Sequence, residues 1–205
     1  ALDILVNNAG ALFAKRVESV DGFEYTWALN HLNYFLLTTL LKENLVAAPE
    51  ARVVNVASAA HMRGRMRWDD LQLERDYSFG GWTAYCQSKL ANILFTRELS
   101  RRFEGTSVKT NCVHPGFVNT GFAKNNGSTW RAMMWLSRPF QRNVGNGADT
   151  VIWAASSVDA KEYSGEYFIN RKVRRPTKSA RNEQDAQRLW ALSEEMTGTS
   201  DSWKN

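Results

Sequence analysis

Apolar positions fall into two kinds of grouping along the chain. Short, nearly unbroken runs occupy residues 2–6 (LDILV), 52–57 (RVVNVA), 107–113 (SVKTNCV) and 165–169 (GEYFI). Each is short and bounded by turn residues, the pattern of a buried strand. Longer stretches carry apolar residues at helical spacing. The first, 23–47, has Phe23, Trp27, Leu32, Phe35, Leu36 and Leu40, and Pro49 stops it. A second, 83–103, has Leu90, Ile93, Leu94, Phe95 and Leu99. Further helices are predicted at 128–138, 145–157 and 182–197, the last amphipathic. Residues 59–81 are polar, contain glycine and keep no period, so they are predicted to be a long loop.

Strand and helix alternate four times, which predicts an α/β fold: a parallel sheet with both faces covered. Ligands bind such sheets beyond the carboxyl ends of the strands. The loops after residues 6, 57 and 113 should therefore line one crevice. They contain Asn7-Asn8-Ala9-Gly10, Ser58 and His114-Pro115-Gly116.

Composition narrows the class. The 205 residues suffice for one domain with a substantial core. With 43% apolar and 23% charged residues the chain resembles a soluble globular protein, and no apolar run approaches the roughly 18 residues of a membrane span. The net charge of +5 comes from scattered basic residues with small clusters at Arg63/Arg65/Arg67 and Arg171/Lys172/Arg174/Arg175. Such clusters suit a solvated surface that attracts anions better than a nucleic-acid stripe. Cys86 and Cys112 fit no metal-ligand spacing and no disulfide scaffold, so a reducing compartment is expected.

Tyr85 and Lys89 lie one helical turn apart in AYCQSK and share a helix face. A cation beside a phenol stabilises the phenolate and lowers its pKa, which suits general acid–base work. Tyr-x-x-x-Lys by itself is more often surface decoration. Ser58 follows a Val-rich strand, where its hydroxyl either reaches a substrate oxygen or satisfies its own backbone. Asn30 is a poor helix-interior residue among apolar neighbours; it either caps a local distortion or holds a water. The small residues of Asn7–Gly10 allow backbone to approach a ligand, and Pro115 stiffens a strand exit. These signals fall in the order that one crevice requires.

Together these residues resemble the short-chain dehydrogenase/reductase family. The resemblance rests on NNAG at 7–10, Asn30, Ser58 after VVNVA, Tyr85-x-x-x-Lys89, and Pro115-Gly116 followed by Thr120. It covers nearly the whole chain and is nearest to the retinol dehydrogenase-like branch, through DGFEYTWALNHLNYFLLT, AYCQSKLANILFTREL and SGEYFINRKV, and through the long separation of Ser58 from Tyr85.

The resemblance implies a Rossmann-like doubly wound parallel sheet, with residues 1–205 as the C-terminal two-thirds of a single domain and a substrate lid at about 117–143. Its first strand matches the fourth of the family fold. At ~30 residues per strand–helix unit, about 80 upstream residues with three strands and the pyrophosphate-binding turn are implied. The implied function is NAD(P)-dependent interconversion of a carbonyl and an alcohol, with NADP favoured over NAD. In the roles the family assigns, Tyr85 exchanges the proton and Ser58 bonds the same oxygen. Lys89 tunes Tyr85 and binds the nicotinamide ribose, and Asn30 holds a water linking Lys89 to solvent. Asn7, Ala9, Gly10, Pro115, Gly116, Val118 and Thr120 border the cofactor. Trp130, Met133, Met134 and Phe140 in the lid suggest an apolar substrate such as a retinoid, a sterol or a lipid-derived carbonyl. A cytoplasmic protein follows, with membrane association through an upstream segment, contact with a membrane surface, and a homodimer left open. The alternative is a family fold without catalysis, serving only to bind, or a fragment that does not hold the cofactor.

Overall fold

The computed structural model describes residues 1–116, 144–200 and 202–203. The predicted lid and helix at 128–138, with Val118 and Thr120, lie outside them. Five strands form one sheet in the order β1 (Ile4–Asn7), β2 (Ala51–Val56), β3 (Val108–His114), β4 (Tyr167–Ile169) and β5 (Lys172–Val173). The first four run parallel, with Leu5 opposite Val53, Val53 opposite Thr110 and Cys112 opposite Tyr167. All four therefore end at one edge, and their loops share it.

Helices cover the sheet. α1 (Tyr25–Trp27) and α2 (Asn33–Leu40) flank a π-helical turn at Ala28–Leu32, and α3 (Lys42–Val46) follows. The single long helix expected over 23–47 is thus broken twice. The Asn33 N–H bonds the Ala28 carbonyl five residues back, which makes room for Asn30 and His31 to turn inward, both fully buried. α4 (Trp82–Arg102) is buried on nearly every side between the sheet and α6 (Glu183–Thr197). α5 (Val144–Ser156) packs on the other face, against β2 and β3. Among the described residues no helix is long and apolar enough to cross a membrane.

Two further departures from the sequence reading have local causes. Residues 59–81 are not uniformly irregular: 3₁₀ turns at Ala59–Arg63 and Phe79–Gly81 bracket them. β5 was not anticipated. It pairs antiparallel with β4 through a tight turn in which Asn170 (φ 53°) and Arg171 (φ 59°) are both left-handed without glycine.

Candidate active site

Four segments meet at the carboxyl edge of the sheet: the loop after β1, the π-turn, the turn after β2 and the first turns of α4. The start of α4 is placed by an unusual approach. Phe79, Gly80 and Gly81 have φ of 54°, 57° and 79° in succession. A Cβ at Gly81 would stand 1.9 Å from the Phe13 carbonyl oxygen, so only glycine fits. The Tyr77 hydroxyl, 2.8 Å from that same oxygen and 3.1 Å from Glu24, ties the approach to the loop after β1.

One turn into α4, Tyr85 is half-buried and stacks on Trp82. Its phenol is hydrogen-bonded with the Ser58 hydroxyl, which favours the phenolate, yet desolvation outweighs that and pushes its pKa up to about 12. Lys89 is buried; its ammonium donates to the Val56 carbonyl at 2.9 Å and lies 5.8 and 5.7 Å from the ring centres of Tyr34 and Tyr85. Desolvation lowers its pKa to about 7. This corrects the expectation of a phenol made acidic by its neighbour. In this packing burial dominates both groups, and the proton stays on Tyr85 while Lys89 sits near its midpoint at neutral pH.

Asn30 straps the loop after β1. Its Oδ1 accepts from the Ala11 N–H, and its Nδ2 contacts the Ala11 carbonyl and Ser88 Oγ, all at 2.9 Å. Of the two readings open to it, local distortion is what the π-turn displays. Its carboxamide is spent on the loop, so any water it serves would have to be held by its main chain. Asn7 is a second correction. Its side chain is buried and donates to Thr38 Oγ1 and Asn55 Oδ1, so it braces the core beneath the crevice and does not face a ligand. Asn8, Ala9 and Gly10 are exposed above it. A Cβ at Gly10 would lie 3.1 Å from Asn30 Oδ1 and 3.3 Å from Lys89 Nζ, so the bare glycine backbone forms a cradle directly over the lysine. Pro115 and Gly116 leave β3 at the same edge, with Gly116 left-handed at φ 88°.

A hydrogen-bonded Tyr–Ser pair thus sits beside a buried lysine under a glycine cradle. The family model described as enoyl-(acyl carrier protein) reductase, of the short-chain dehydrogenase/reductase type, matches residues 1–160. The chain belongs to the short-chain dehydrogenase/reductase family. Among curated relatives of this family, human retinol dehydrogenase 12 is 44% identical over 96% of this chain, and human retinol dehydrogenase 13 is 37% identical. The chain spans 61% of the length of each. A solved structure of an uncharacterised protein from Mycobacterium paratuberculosis superposes with a TM-score of 0.75 at 34% identity, covering 96% of this chain and 67% of that one. The NADPH-bound carbonyl reductase from chicken fatty liver shares the fold, with a TM-score of 0.56 at 19% identity over 82% of this chain and 63% of its own.

Family motifs pointed to Ser58, Tyr85 and Lys89 but not to the residues that hold them in place. Tyr77, Gly81 and Ser88 carried no signal, because each acts through a partner far away in sequence, Phe13 for the first two and Asn30 for Ser88; Tyr77 and Phe13 are 64 residues apart.

Proposed function

We propose that the whole protein is an NAD(P)-dependent oxidoreductase that interconverts a carbonyl and an alcohol on an apolar substrate, a retinoid, a sterol or a lipid-derived carbonyl. The observation that carries this reading is the Tyr85 phenol hydrogen-bonded with Ser58 at the open edge of the sheet, above the buried Lys89. The similarity to retinol dehydrogenases supports the substrate class.

The residues present fit a dinucleotide's nicotinamide half. Gly10 presents backbone where a side chain would collide with Asn30 and Lys89. Lys89 is a buried donor whose only hydrogen-bond acceptor among the described residues is a carbonyl, leaving ammonium protons for ribose hydroxyls. Asn8, Ala9 and Gly10 border the space above it. The cofactor, when bound, supplies or takes the hydride.

The protein's own part is proton handling. With its pKa near 12, Tyr85 holds its proton at neutral pH and is poised to give it to a carbonyl oxygen. Ser58 can donate to that same oxygen as negative charge develops there. Lys89, near its midpoint, can return a proton to Tyr85 through the adjacent hydroxyls.

The test is reduction of retinal by the whole protein with NADPH and with NADH, beside its Tyr85→Phe variant. Turnover by the wild type, a fall in kcat of about 10²–10⁴ in the variant and unchanged cofactor binding are expected. Near-equal turnover of the two would overturn the assignment of Tyr85. Cofactor binding with no turnover on retinoid, sterol or aliphatic carbonyls would favour the non-catalytic alternative.

A further inference from the structure

Two of the three histidines converge on one peptide unit, the one joining Ser58 to Ala59. The Ser58 carbonyl oxygen accepts twice from His61, from its backbone N–H at 3.1 Å and from its ring Nδ1 at 2.7 Å. The Ala59 N–H on the other side of the peptide donates to His114 Nδ1 at 3.3 Å. Both dipoles of the unit are therefore gripped by imidazoles, one from the turn after β2 and one from the end of β3. The grips require opposite tautomers, with a proton on Nδ1 of His61 and a bare Nδ1 on His114.

The arrangement has a consequence for the hydroxyl. Ser58 Oγ accepts from the Ala60 N–H at 3.2 Å, so the O–H remains free to donate, and Tyr85 is its partner. His61 bears a cost for this. It is buried, its Nε2 has no partner among the described residues, and it meets Tyr167 edge-on at 5.1 Å between ring centres, where the Tyr167 hydroxyl is likewise unpartnered. A buried acceptor left bare is unfavourable unless the opposite nitrogen is needed. Burial also lowers the His61 pKa, which keeps the ring neutral.

We propose that His61 and His114 are positioning residues that hold the Ser58–Ala59 peptide so that the Ser58 hydroxyl points at the Tyr85 oxygen. The inference rests on the reading of Ser58 and Tyr85 as the proton-handling pair. Asparagine can replace either ring at its δ-position: its Nδ2 donates where His61 Nδ1 does, and its Oδ1 accepts where His114 Nδ1 does. Glutamine places its amide at the ε-position and cannot.

The experiment uses the whole protein and its H61N, H61Q, H114N and H114Q variants, with kcat and KM measured against pH in the direction of alcohol oxidation. The Asn variants should keep kcat within about threefold of wild type. The Gln variants should lose about 10–100-fold in kcat with KM for the cofactor unchanged, and the rising limb of kcat should move up by roughly one to two pH units, the size of one lost hydrogen bond to the charged phenolate. The other titratable groups facing Tyr85, namely Lys89, Tyr34 and Cys86, are untouched in every variant. A purely structural role would lower stability in Asn and Gln variants alike and leave the limb in place, and equal activity of the two pairs would overturn the inference. Titration of Tyr85 by ¹³C NMR on Cζ-labelled protein reads the same geometry without turnover. A titration that moves in the Gln variants of an inert protein would uphold the clamp and sink the reaction; one that does not move would sink the clamp.

Discussion

The two ends of α4 solve different problems. Its C-terminal half closes an aromatic wedge. Phe95 stacks on Trp190 of α6 at 5.9 Å, Phe35 meets Trp190 edge-on at 4.8 Å, and the Arg102 guanidinium lies 4.1 Å from the same indole. His31 reaches into this wedge from the π-turn and bonds Ser193 at 2.9 Å. Its N-terminal half holds a lysine with no opposing carboxylate among the described residues, a phenol with a raised pKa, and an approach of three left-handed residues. Shape complementarity stabilises one end, while the other keeps buried polar groups that packing alone would remove. One rigid helix lets the first support the second, holding Tyr85 and Lys89 in place although their surroundings oppose the ionised forms.

The largest effect that would break this contrast is Trp190→Ala. Removing the centre of the wedge should cost roughly 3–5 kcal/mol in denaturant unfolding, while the protein that remains folded keeps the kcat of wild type. A matching loss of kcat would mean that the two ends are not separable.

Next comes acid. The His31 pKa falls from 6.5 to about 3 through burial. The unfolded chain takes up a proton below pH 6.5 that the folded protein refuses, so the stability held above 6.5 is lost as pH falls toward 3. At about 1.4 kcal/mol per pKa unit, the loss between pH 7 and 5 should be on the order of 2 kcal/mol. His31→Gln, which keeps a polar group at the ε-position for Ser193, should narrow that gap in unfolding curves at the two pH values. His61, shifted the same way, leaves a remainder.

The smallest sharpens the cost at the other end. With Lys89 at about 7 in the folded protein and 10.5 unfolded, the burial penalty is complete below pH 7 and fades as pH rises to 10.5, because the unfolded chain holds the extra proton in that window. Lys89→Met should therefore raise stability by about 1–2 kcal/mol at pH 6 and by less at pH 10, while turnover is lost. A destabilised variant at pH 6 would show that the lysine holds its surroundings together and is not merely tolerated there.

The order of strands and helices was legible because it depends on periodicity alone. Residues 52–57 have the density of apolar groups that a strand buried on both faces needs, and β2 is buried so; residues 2–6, expected to be equally buried, instead alternate, with Ile4 and Val6 exposed on one face of β1. Pro49 and Pro115 mark exits whatever the fold. The short β5 was illegible: two residues in a basic stretch have no period, and their pairing depends on β4 being already in place. The π-turn was visible only as an ill-fitting Asn30.

Sequence by itself determined the order of the four parallel strands and the placing of Ser58 beyond the end of β2, since these follow from spacing within one strand, while the resemblance to a known family was needed to single out Tyr85 and Lys89 from their helix. Tertiary structure alone decided that Asn7 braces the core, that Tyr85 keeps its proton while Lys89 nearly gives one up, and that His61 and His114 grip the peptide beside Ser58. Those outcomes depend on desolvation and on hydrogen-bond direction. Both are properties of what packs around a group, and the partners that supply them, such as Ala59 and His114 at 55 residues apart, are neighbours only after the chain has folded.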